Sequence, residues 1–389
     1  MYKRSIFLVI SIFFFFSSAF AQFMPDPLGL KLVRTLQLIN NLYVEDVDSE
    51  KLTETAIRAM LRELDPHSSY LNKDEVRAMN EPLQGDFEGI GISFNMVTDT
   101  LYVIEVISGG PAQKVGIMPG DKIIYVNDTL IAGVKMSSEE VMKKLRGPKG
   151  TTVTVKVLRR GVPELLEFRI VRNKIPIYSV DASYMADAEI GYIRLSRFAA
   201  TSVDEFRKAE EKLKANGMKK LILDLTGNGG GILQTATDIA DEFLDKGKLI
   251  VYTEGRAQPR SNITATSKGQ FEQGDLVILV DESSASASEI VAGAIQDWDR
   301  GVIVGRRTFG KGLVQRQLPL PDGTMIRLTV ARYYTPSGRC IQKPYKGGDI
   351  DAYNMDFFNR YQKGELLYAD SIHFPDSLKY KTLINKRTV

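Results

Sequence analysis

Two short motifs in the C-terminal half of the chain contain the residues best suited to acyl-transfer chemistry. The first is S-A-S-A-S-E, Ser284 to Glu289, which the pattern places where a strand ends and a helix begins. Free backbone N–H groups and the helix dipole at such a turn favour a developing oxyanion. Ser284 and Ser288 would share one helix face, and Ser286 would point elsewhere. Spacing alone leaves the choice of nucleophile open, and it equally allows a plain helix cap.

The second motif is G-K-G-L-V-Q, Gly310 to Gln315, which is predicted to form a strand. On a strand Lys311, Leu313 and Gln315 would share one face. A lysine serves as a base only when its pKa falls from about 10.4 toward neutrality, and burial among apolar neighbours lowers it in that direction. The alternative is an ordinary lysine that faces solvent.

A glycine run, Gly227 to Gly231 with Asn228 inside it, follows the predicted strand Leu221–Leu225. Its backbone amides could bind negative charge and complement the N–H group beside the serine. The run fits neither a phosphate-binding P-loop nor a dinucleotide fingerprint. A simple tight turn is the other interpretation.

Histidine and cysteine are scarce, which limits the available chemistry. The chain has two histidines, His67 and His373, and one cysteine, Cys340. A Ser-His hydrolase would need one of the two histidines, and His67 is the candidate for that alternative. The spacing offers no zinc site, so neither a metal nor a cofactor is expected.

Hydrophobic periodicity places the motifs in the last of three units. Residues 26–80 show helical spacing, residues 85–174 contain short β-branched runs bounded by turn residues, and strands and helices alternate in residues 175–345. The strands predicted for the last unit are Gly191–Leu195, Leu221–Leu225, Leu276–Val280, Val302–Val304, Lys311–Leu318 and Met325–Tyr333. The helices predicted there are Val203–Asn216, one from the glycine run to Asp245, and one from Ser284 to Asp297.

The N-terminus predicts an exported protein. Residues 1–21 combine a basic start, an apolar run from Ile6 to Phe16 and an A-x-A cleavage signature ending at Ala21. An uncleaved membrane anchor is the alternative, but the apolar run of about 15 residues is shorter than the roughly 20 that a spanning helix needs. A single cysteine excludes an intrachain disulfide, and a bacterial periplasm fits both observations. The net charge of +3 and the absence of a basic stripe argue against a nucleic-acid partner.

The ordered motifs resemble those of the C-terminal processing (tail-specific) serine peptidases, from about Leu28 to Gln342. The motifs that carry the resemblance are L-D-P-H-S-S-Y-L at Leu64–Leu71, F-E-G-I-G-I at Phe87–Ile92, G-G-P-A-Q-K-V-G-I-M-P-G-D-K-I at Gly109–Ile123, L-D-L-T-G-N-G-G-G at Leu223–Gly231, D-E-S-S-A-S-A-S-E at Asp281–Glu289, F-G-K-G-L-V-Q at Phe309–Gln315 and Y-Y-T-P-S-G-R at Tyr333–Arg339. The resemblance implies a multidomain fold of α+β and α/β units, in which a ClpP/crotonase-like serine protease core carries a PDZ domain and an N-terminal helical segment. The implied domains are a signal peptide at 1–21, the helical segment at 26–80, the PDZ domain at 85–174, the peptidase core at 175–345 and a C-terminal insertion at 346–389.

The resemblance also implies roles for single residues. Ser286 matches the nucleophile, Lys311 the general base, and Gln315 the residue that orients the lysine. The oxyanion donors fall on Ala287 and on Gly230 or Gly231.

In the PDZ domain the loop Gly89, Ile90, Gly91, Ile92 matches the site that binds the carboxylate of a substrate tail, and Arg146 resembles an arginine that couples the PDZ domain to the protease. A PDZ domain binds a C-terminal tail as an added strand and holds its carboxylate with backbone N–H groups.

The expected function is therefore a serine endopeptidase that recognises nonpolar C-terminal tails of exported proteins and cleaves them with a Ser-Lys dyad. The resemblance allows for an activating adaptor lipoprotein and for a homo-oligomer. The sequence departs from the family in the glycine loop, where Thr226 and Gly229 replace a common arginine and proline, and the family's closing G-I-x-P-D segment is missing, so a truncated insertion is expected. These departures are the grounds for the alternative, a non-catalytic PDZ adaptor that binds protein C-termini, and they do not change the expected class.

Overall fold

The computed structural model of the protein describes residues 26–373 and 375–389. The predicted signal peptide, residues 1–21, lies outside the described residues. Within the described ranges, no helix has the length and apolar character needed to cross a membrane.

The N-terminal segment begins with two helices and then joins the peptidase sheet. Its elements are α1 (Pro27–Leu42), α2 (Ser49–Arg62), β1 (Ser69–Leu71) and α3 (Lys73–Gln84). Asn72 and Glu75 cap α3 reciprocally, and Gly85 ends it with a φ of 81°. Strand β1 pairs with a strand of the peptidase core, so the motif that contains His67 is part of that core rather than a separate unit.

The PDZ unit is a small antiparallel sheet with one main helix. Its elements are β2 (Asp86–Gly89), β3 (Ile92–Val97), β4 (Thr100–Val106), α4 (Pro111–Lys114), β5 (Lys122–Val126), β6 (Thr129–Leu130), α5 (Ser138–Leu145), β7 (Thr152–Leu158), β8 (Leu166–Val171) and β9 (Asn173–Pro176). The strand order is β3-β4-β5-β7-β8, so β3 has a free edge. Alternate residues of β7, Val153, Val155 and Val157, are buried in the core of this unit.

The peptidase core contains two sheets. Its elements are β10 (Val180–Met185), β11 (Ile190–Leu195), α6 (Ser202–Ala215), β12 (Lys220–Asp224), α7 (Leu233–Asp241), β13 (Leu249–Gly255), β14 (Gln258–Thr264), β15 (Leu276–Val280), α8 (Ala287–Asp297), β16 (Val302–Gly305), β17 (Leu313–Pro319) and β18 (Met325–Tyr334). One sheet has the order β10-β11-β12-β15-β16 and is parallel from β11 to β16. The other sheet joins β1, β18, β13 and β14, with β17 paired to β18.

The parallel sheet brings the glycine run and the serine motif together. Strands β12 and β15 are neighbours with Asp224 opposite Leu279, so their carboxyl ends meet at one edge. The loops that follow these two strands are the glycine run and the serine turn. Ligand sites of parallel sheets lie at this edge, beyond the carboxyl ends of the strands.

The lysine motif differs from its prediction. The strand begins at Leu313 rather than at Lys311, and its pairing with β18 shifts register between Val314 and Gln315. The amide of Lys311 donates to the carboxylate of Glu289 at 2.8 Å instead of joining the ladder. The prediction that Lys311 belongs to the strand is therefore wrong, although Lys311, Leu313 and Gln315 line the same cleft.

The C-terminal segment packs against the loop before Lys311. It contains α9 (Ile350–Asn354), α10 (Asp356–Gln362) and short turns at Ala369–Ser371 and Asp376–Leu378. Arg360 is buried, pairs with Glu365 at 2.8 Å and donates to the carbonyl oxygen of Thr308 at 3.2 Å. Tyr353 is buried and its hydroxyl contacts the His67 ring. The segment that was expected as an insertion thus packs against the part of the core next to Lys311.

Truncation of Phe206 should destabilise the peptidase core. This side chain is fully buried and meets Phe243 edge-to-face at 5.9 Å between ring centroids. We expect Phe206→Ala to lower the free energy of unfolding by about 3–5 kcal/mol. Trp298 is the only tryptophan and packs against the same core, so its fluorescence in a urea titration reports the change. Phe357→Ala, at a half-exposed ring on α10, is the matched control; an equal loss in both variants contradicts the assignment.

Candidate active site

The serine turn, the glycine run and the start of β17 line one cleft of about 520 Å³. Helix α3 and strand β18 form the remaining walls. The lining residues that matter below are Met79, Leu83, Gly230, Gly231, Ser286, Ala287, Lys311, Gln315, Gln317 and Arg327. The structure therefore brings together every residue that the sequence assigns to the peptidase chemistry.

Ser286 occupies a strained backbone position at the start of α8. Its φ of 56° and ψ of −108° lie in a region that side-chain-bearing residues rarely adopt. Such a conformation costs on the order of 1–3 kcal/mol and persists only where the surroundings enforce it. Here the Ser286 amide donates to Glu289 at 2.8 Å, and the Tyr333 hydroxyl donates to the Ser286 carbonyl oxygen at 3.1 Å. The residue with the strained backbone is therefore the one whose side chain lines the cleft.

The hydrogen bonds of the neighbouring serines resolve the three-serine ambiguity. Ser284 and Ser288 are fully buried. The Ser284 hydroxyl donates to the carbonyl oxygen of Leu225 at 2.8 Å, and the Ser288 hydroxyl donates to that of Asn228 at 2.8 Å. Both serines therefore fix the glycine run against the serine turn. Ser286 alone among the three lines the cleft.

Lys311 lines the same cleft and is electrostatically suited to act as a base. Burial lowers its pKa below the ordinary lysine value, and the charge of Arg327 lowers that pKa further, whereas Glu289 and Asp65 oppose the shift. Within the described residues, no carboxylate lies at ion-pair distance from its amine, and no hydrogen bond joins the amine to the Ser286 hydroxyl. Catalytic hydrogen bonds are often long in a free enzyme and tighten when substrate binds.

Gln315 does not make the contact that the resemblance implies. Its side-chain amide donates to the carbonyl oxygen of His67 at 2.7 Å, not to Lys311. The reason is the packing of the N-terminal motif beneath β17 and β18, where Ser68 and Asp65 bind Thr329. Gln315 lines the cleft, yet in this structure it anchors that motif rather than the lysine.

Glu289 connects Ser286 and Lys311, and the sequence argument did not select it. Its carboxylate accepts hydrogen bonds from the amides of Ser286, Gly310 and Lys311 at 2.8, 2.7 and 2.8 Å, and from the Thr308 hydroxyl at 2.6 Å. Burial raises the pKa of Glu289, and these hydrogen bonds oppose the rise. The available signal was the glutamate three residues after a helix-starting serine, which is typical of a capping box.

The oxyanion donors are only partly those expected. The Ala287 amide is the first of α8 and has no partner within the helix. The Gly230 amide already donates to the Asn228 side chain at 2.9 Å, so this alternative is not available in the structure. Across the described ranges no acceptor is seen for the Gly231 amide, which leaves Ala287 and Gly231 as the pair. A Cβ atom at Gly230 would lie 2.9 Å from the Ser286 Cβ, so glycine is needed there for close approach.

Other contacts fix this loop although its sequence departs from the family pattern. Asp224 accepts from the Thr226 amide at 2.8 Å, and both carboxylate oxygens of Asp281 accept from the Gly227 amide at 3.0 Å. The glycine run is therefore fixed at its start although Gly229 replaces a proline.

The geometry does not support a Ser-His arrangement. His67 is absent from the cleft lining, and its Nε2 atom contacts the Tyr353 hydroxyl at 2.8 Å. Burial and the charge of Lys311 lower the pKa of His67 to about 4. His373 lies on the exposed C-terminal segment. His67 is thus a packing residue behind the base.

A second cavity of about 300 Å³ lies in the PDZ unit between β3 and α5. Its lining includes Ile90, Gly91 and Ile92 from the loop Gly89–Ile92, together with Phe87, Met142, Leu145 and Arg146. The walls are mainly apolar, and the free edge of β3 borders them. This combination suits a nonpolar peptide bound as an added strand.

Arg146 links this cavity to the catalytic cleft. Its guanidinium forms an ion pair with Glu81 of α3 and lies over the Phe87 ring at 4.7 Å. The same helix α3 lines the catalytic cleft with Met79 and Leu83. The expected contact between the PDZ unit and the protease therefore passes through α3.

Comparisons with known proteins agree with this architecture. A family model for peptidase family S41 matches residues 189–352, a PDZ domain model matches residues 89–170, and a model of the activating protease CtpB N-terminal domain matches residues 22–75. A carboxy-terminal-processing protease of Bartonella bacilliformis is 38% identical over 78% of this chain and 70% of its own length.

Two further similarities were found. A probable CtpA-like serine protease of Staphylococcus aureus is 37% identical to this chain. The matched region covers 80% of this chain and 62% of the length of that protein. Among solved structures, a photosystem II D1 C-terminal processing protease is 29% identical, with 84% of this chain and 93% of that chain covered and a TM-score of 0.47.

The two-sheet core with its serine turn, and the PDZ unit inserted before it, define a PDZ-containing serine peptidase architecture. The chain belongs to the carboxy-terminal processing proteases of peptidase family S41.

Replacement of the Glu289 carboxylate should disable the site while the fold persists. In Glu289→Gln an amide NH₂ would face one of the backbone N–H donors, so the serine turn and the lysine loop lose their common anchor. We expect kcat to fall on the order of 10²-fold, as small displacements of reacting groups do. Peptide hydrolysis and circular dichroism together measure this. Glu211→Gln, on the exposed face of α6, is the control; unchanged activity in Glu289→Gln contradicts the anchoring role.

The rate should rise with pH through the pKa of Lys311. The base accepts a proton only when neutral, and its pKa is lowered in the folded chain, so kcat/KM should increase with pH and level off below the ordinary lysine value of about 10.4. A pH profile of peptide hydrolysis measures this. The variant His67→Gln should show the same rise of kcat/KM with pH as the wild type. Loss of this rise in His67→Gln would favour the histidine alternative.

Proposed function

We propose that this chain is a serine endopeptidase in which Ser286 and Lys311 form a catalytic dyad. The observation that supports this most strongly is their common cleft. The Ser284 and Ser288 hydroxyls donate to backbone carbonyl oxygens, whereas the Ser286 side chain lines the same cleft as a lysine with a lowered pKa. The amides of Ala287 and Gly231, for which the described part of the chain supplies no acceptor, border that space.

The arrangement supports a complete acyl-transfer cycle. The Ser286 hydroxyl oxygen attacks the scissile carbonyl carbon while the neutral Lys311 amine takes the hydroxyl proton. The Ala287 and Gly231 amides stabilise the resulting oxyanion. As the intermediate collapses, the Lys311 ammonium donates its proton to the leaving amine, and the acyl-enzyme remains. Lys311 then takes a proton from water as the water oxygen attacks the ester carbonyl carbon. When the ester C–O bond breaks, the Lys311 ammonium returns that proton to the Ser286 oxygen, which restores the hydroxyl and the neutral amine.

We propose further that the PDZ cavity selects nonpolar C-terminal tails of protein substrates. The tail would add to the β3 edge, its carboxylate would bind backbone amides of the loop Gly89–Ile92, and its last side chain would contact Met142 and Leu145. The apolar lining of the cavity supports this choice. The Arg146–Glu81 ion pair would then connect tail binding to the cleft through α3.

Export to the periplasm belongs to the same proposal and rests on the signal-like residues 1–21. Activation by an adaptor lipoprotein and assembly of a homo-oligomer are consistent with it. Size-exclusion chromatography with light scattering, alone and with periplasmic extract, distinguishes these states.

Cleavage of a tailed reporter tests the proposed function. The chain from Gln22 onward is incubated with an unfolded reporter that ends in Leu-Ala-Ala, beside the variants Ser286→Ala and Lys311→Ala. We expect the wild type to cleave and both variants to lose activity by at least about 10³-fold. The same reporter with an amidated C-terminus should be cleaved more slowly, because amidation removes the carboxylate. Tail binding without any wild-type cleavage would favour the non-catalytic PDZ adaptor.

A further inference from the structure

Arg327 lies in the catalytic cleft and has no role in the chemistry described so far. It sits on β18, where its Cα pairs with Gln317 of β17 on one side and with Ser69 of β1 on the other. Its side chain is partly buried and lines the cleft beside Ser286 and Lys311. A cation is thus held at the place where substrate must lie.

The hydrogen-bonding capacity of this guanidinium is largely unused. Within the described residues Arg327 forms no ion pair, its buried Nε atom has no acceptor, and one terminal nitrogen contacts the Met79 sulfur at 3.9 Å. Asp65 is an acidic group close enough to influence Arg327, but its carboxylate already binds the His67 and Ser68 amides and two hydroxyl groups. An arginine has five donors in a fixed fork, so most of them remain available.

The cleft itself offers no compensating charge. Among residues 26–373 and 375–389, those that line it include two cationic side chains, Lys311 and Arg327, and no aspartate or glutamate. A partly desolvated guanidinium binds carboxylates strongly because charge and bidentate geometry combine. The missing partner is therefore expected from the substrate.

We propose that Arg327 is a specificity-determining residue that favours an acidic substrate side chain close to the scissile bond. This inference rests on the proposed peptidase function. It concerns the cleft and not the PDZ cavity, so the preference is separate from that for the nonpolar tail.

Matched peptide pairs test the proposal. Each pair has the same nonpolar tail and differs only by glutamate or glutamine at one position, and the pairs scan the positions on both sides of the scissile bond. The quantity measured is the ratio of kcat/KM for the glutamate peptide to that for the glutamine peptide. This ratio is taken within one enzyme preparation, so it does not depend on the folded fraction.

We expect a ratio of about ten at one position in the wild type, the effect of a single charge-assisted hydrogen bond. Arg327→Gln should bring the ratio near one, and Arg327→Lys should retain part of it because the charge remains. Arg332→Gln is the control, since Arg332 lies on the same strand, is exposed and is not part of the cleft.

Three results would contradict the proposal. Cleavage by the wild type with ratios at or below one at every position overturns this inference alone. A preference that persists in Arg327→Gln assigns it to another residue. Absence of cleavage for all peptides overturns the proposed function, and this inference with it.

Discussion

The hydrogen bonds to the buried Glu289 carboxylate are the interaction on which the site depends. One side chain binds the amides of both Ser286 and Lys311, although Ser286 follows β15 of the parallel sheet and Lys311 precedes β17 of the other sheet. Hydrogen bonds to a charged group contribute roughly 1.5–3 kcal/mol each, so several of them offset both the burial of the carboxylate and the strained backbone of Ser286. The relative position of Ser286 and Lys311 is therefore a property of the core rather than of either loop.

The rest of the cleft is arranged around this anchor. The hydroxyls of Ser284 and Ser288 attach the glycine run to the serine turn. These hydrogen bonds fix the position of the Gly231 amide relative to Ser286. On the other side of the cleft, Tyr353 of the C-terminal segment contacts His67. His67 is close enough to Lys311 for the lysine charge to lower its pKa. Burial is the main cause of the lowered pKa of Lys311, and the charge of Arg327 lowers that pKa further.

The sequence was informative where the signal is local. The alternation of strands and helices follows from short patterns, and strand Leu276–Val280 was predicted with its observed bounds. The choice of Ser286 and of the loop Gly89–Ile92 came from the family resemblance, and the helix predicted from Ser284 begins at Ala287. Strands β10, β13 and β14 were missed; most side chains of β14 are exposed, so that strand gives no apolar pattern. The start of β17, the partner of Gln315 and the role of Glu289 depend on contacts between distant segments. Periodicity carries no information on such contacts, as the hydrogen bond from Gln315 to the His67 carbonyl oxygen illustrates.

Covalent capture by a serine-directed phosphonate tests the central claim most directly, because it requires both an activated nucleophile and an oxyanion site but no knowledge of the substrate. Mass spectrometry of the digested adduct locates the modified residue. We expect a single adduct on Ser286, formed faster as pH rises, and almost none in Lys311→Ala. An adduct on another serine, or an unchanged labelling rate in Lys311→Ala, would contradict the assignment of Ser286 and Lys311 as nucleophile and base.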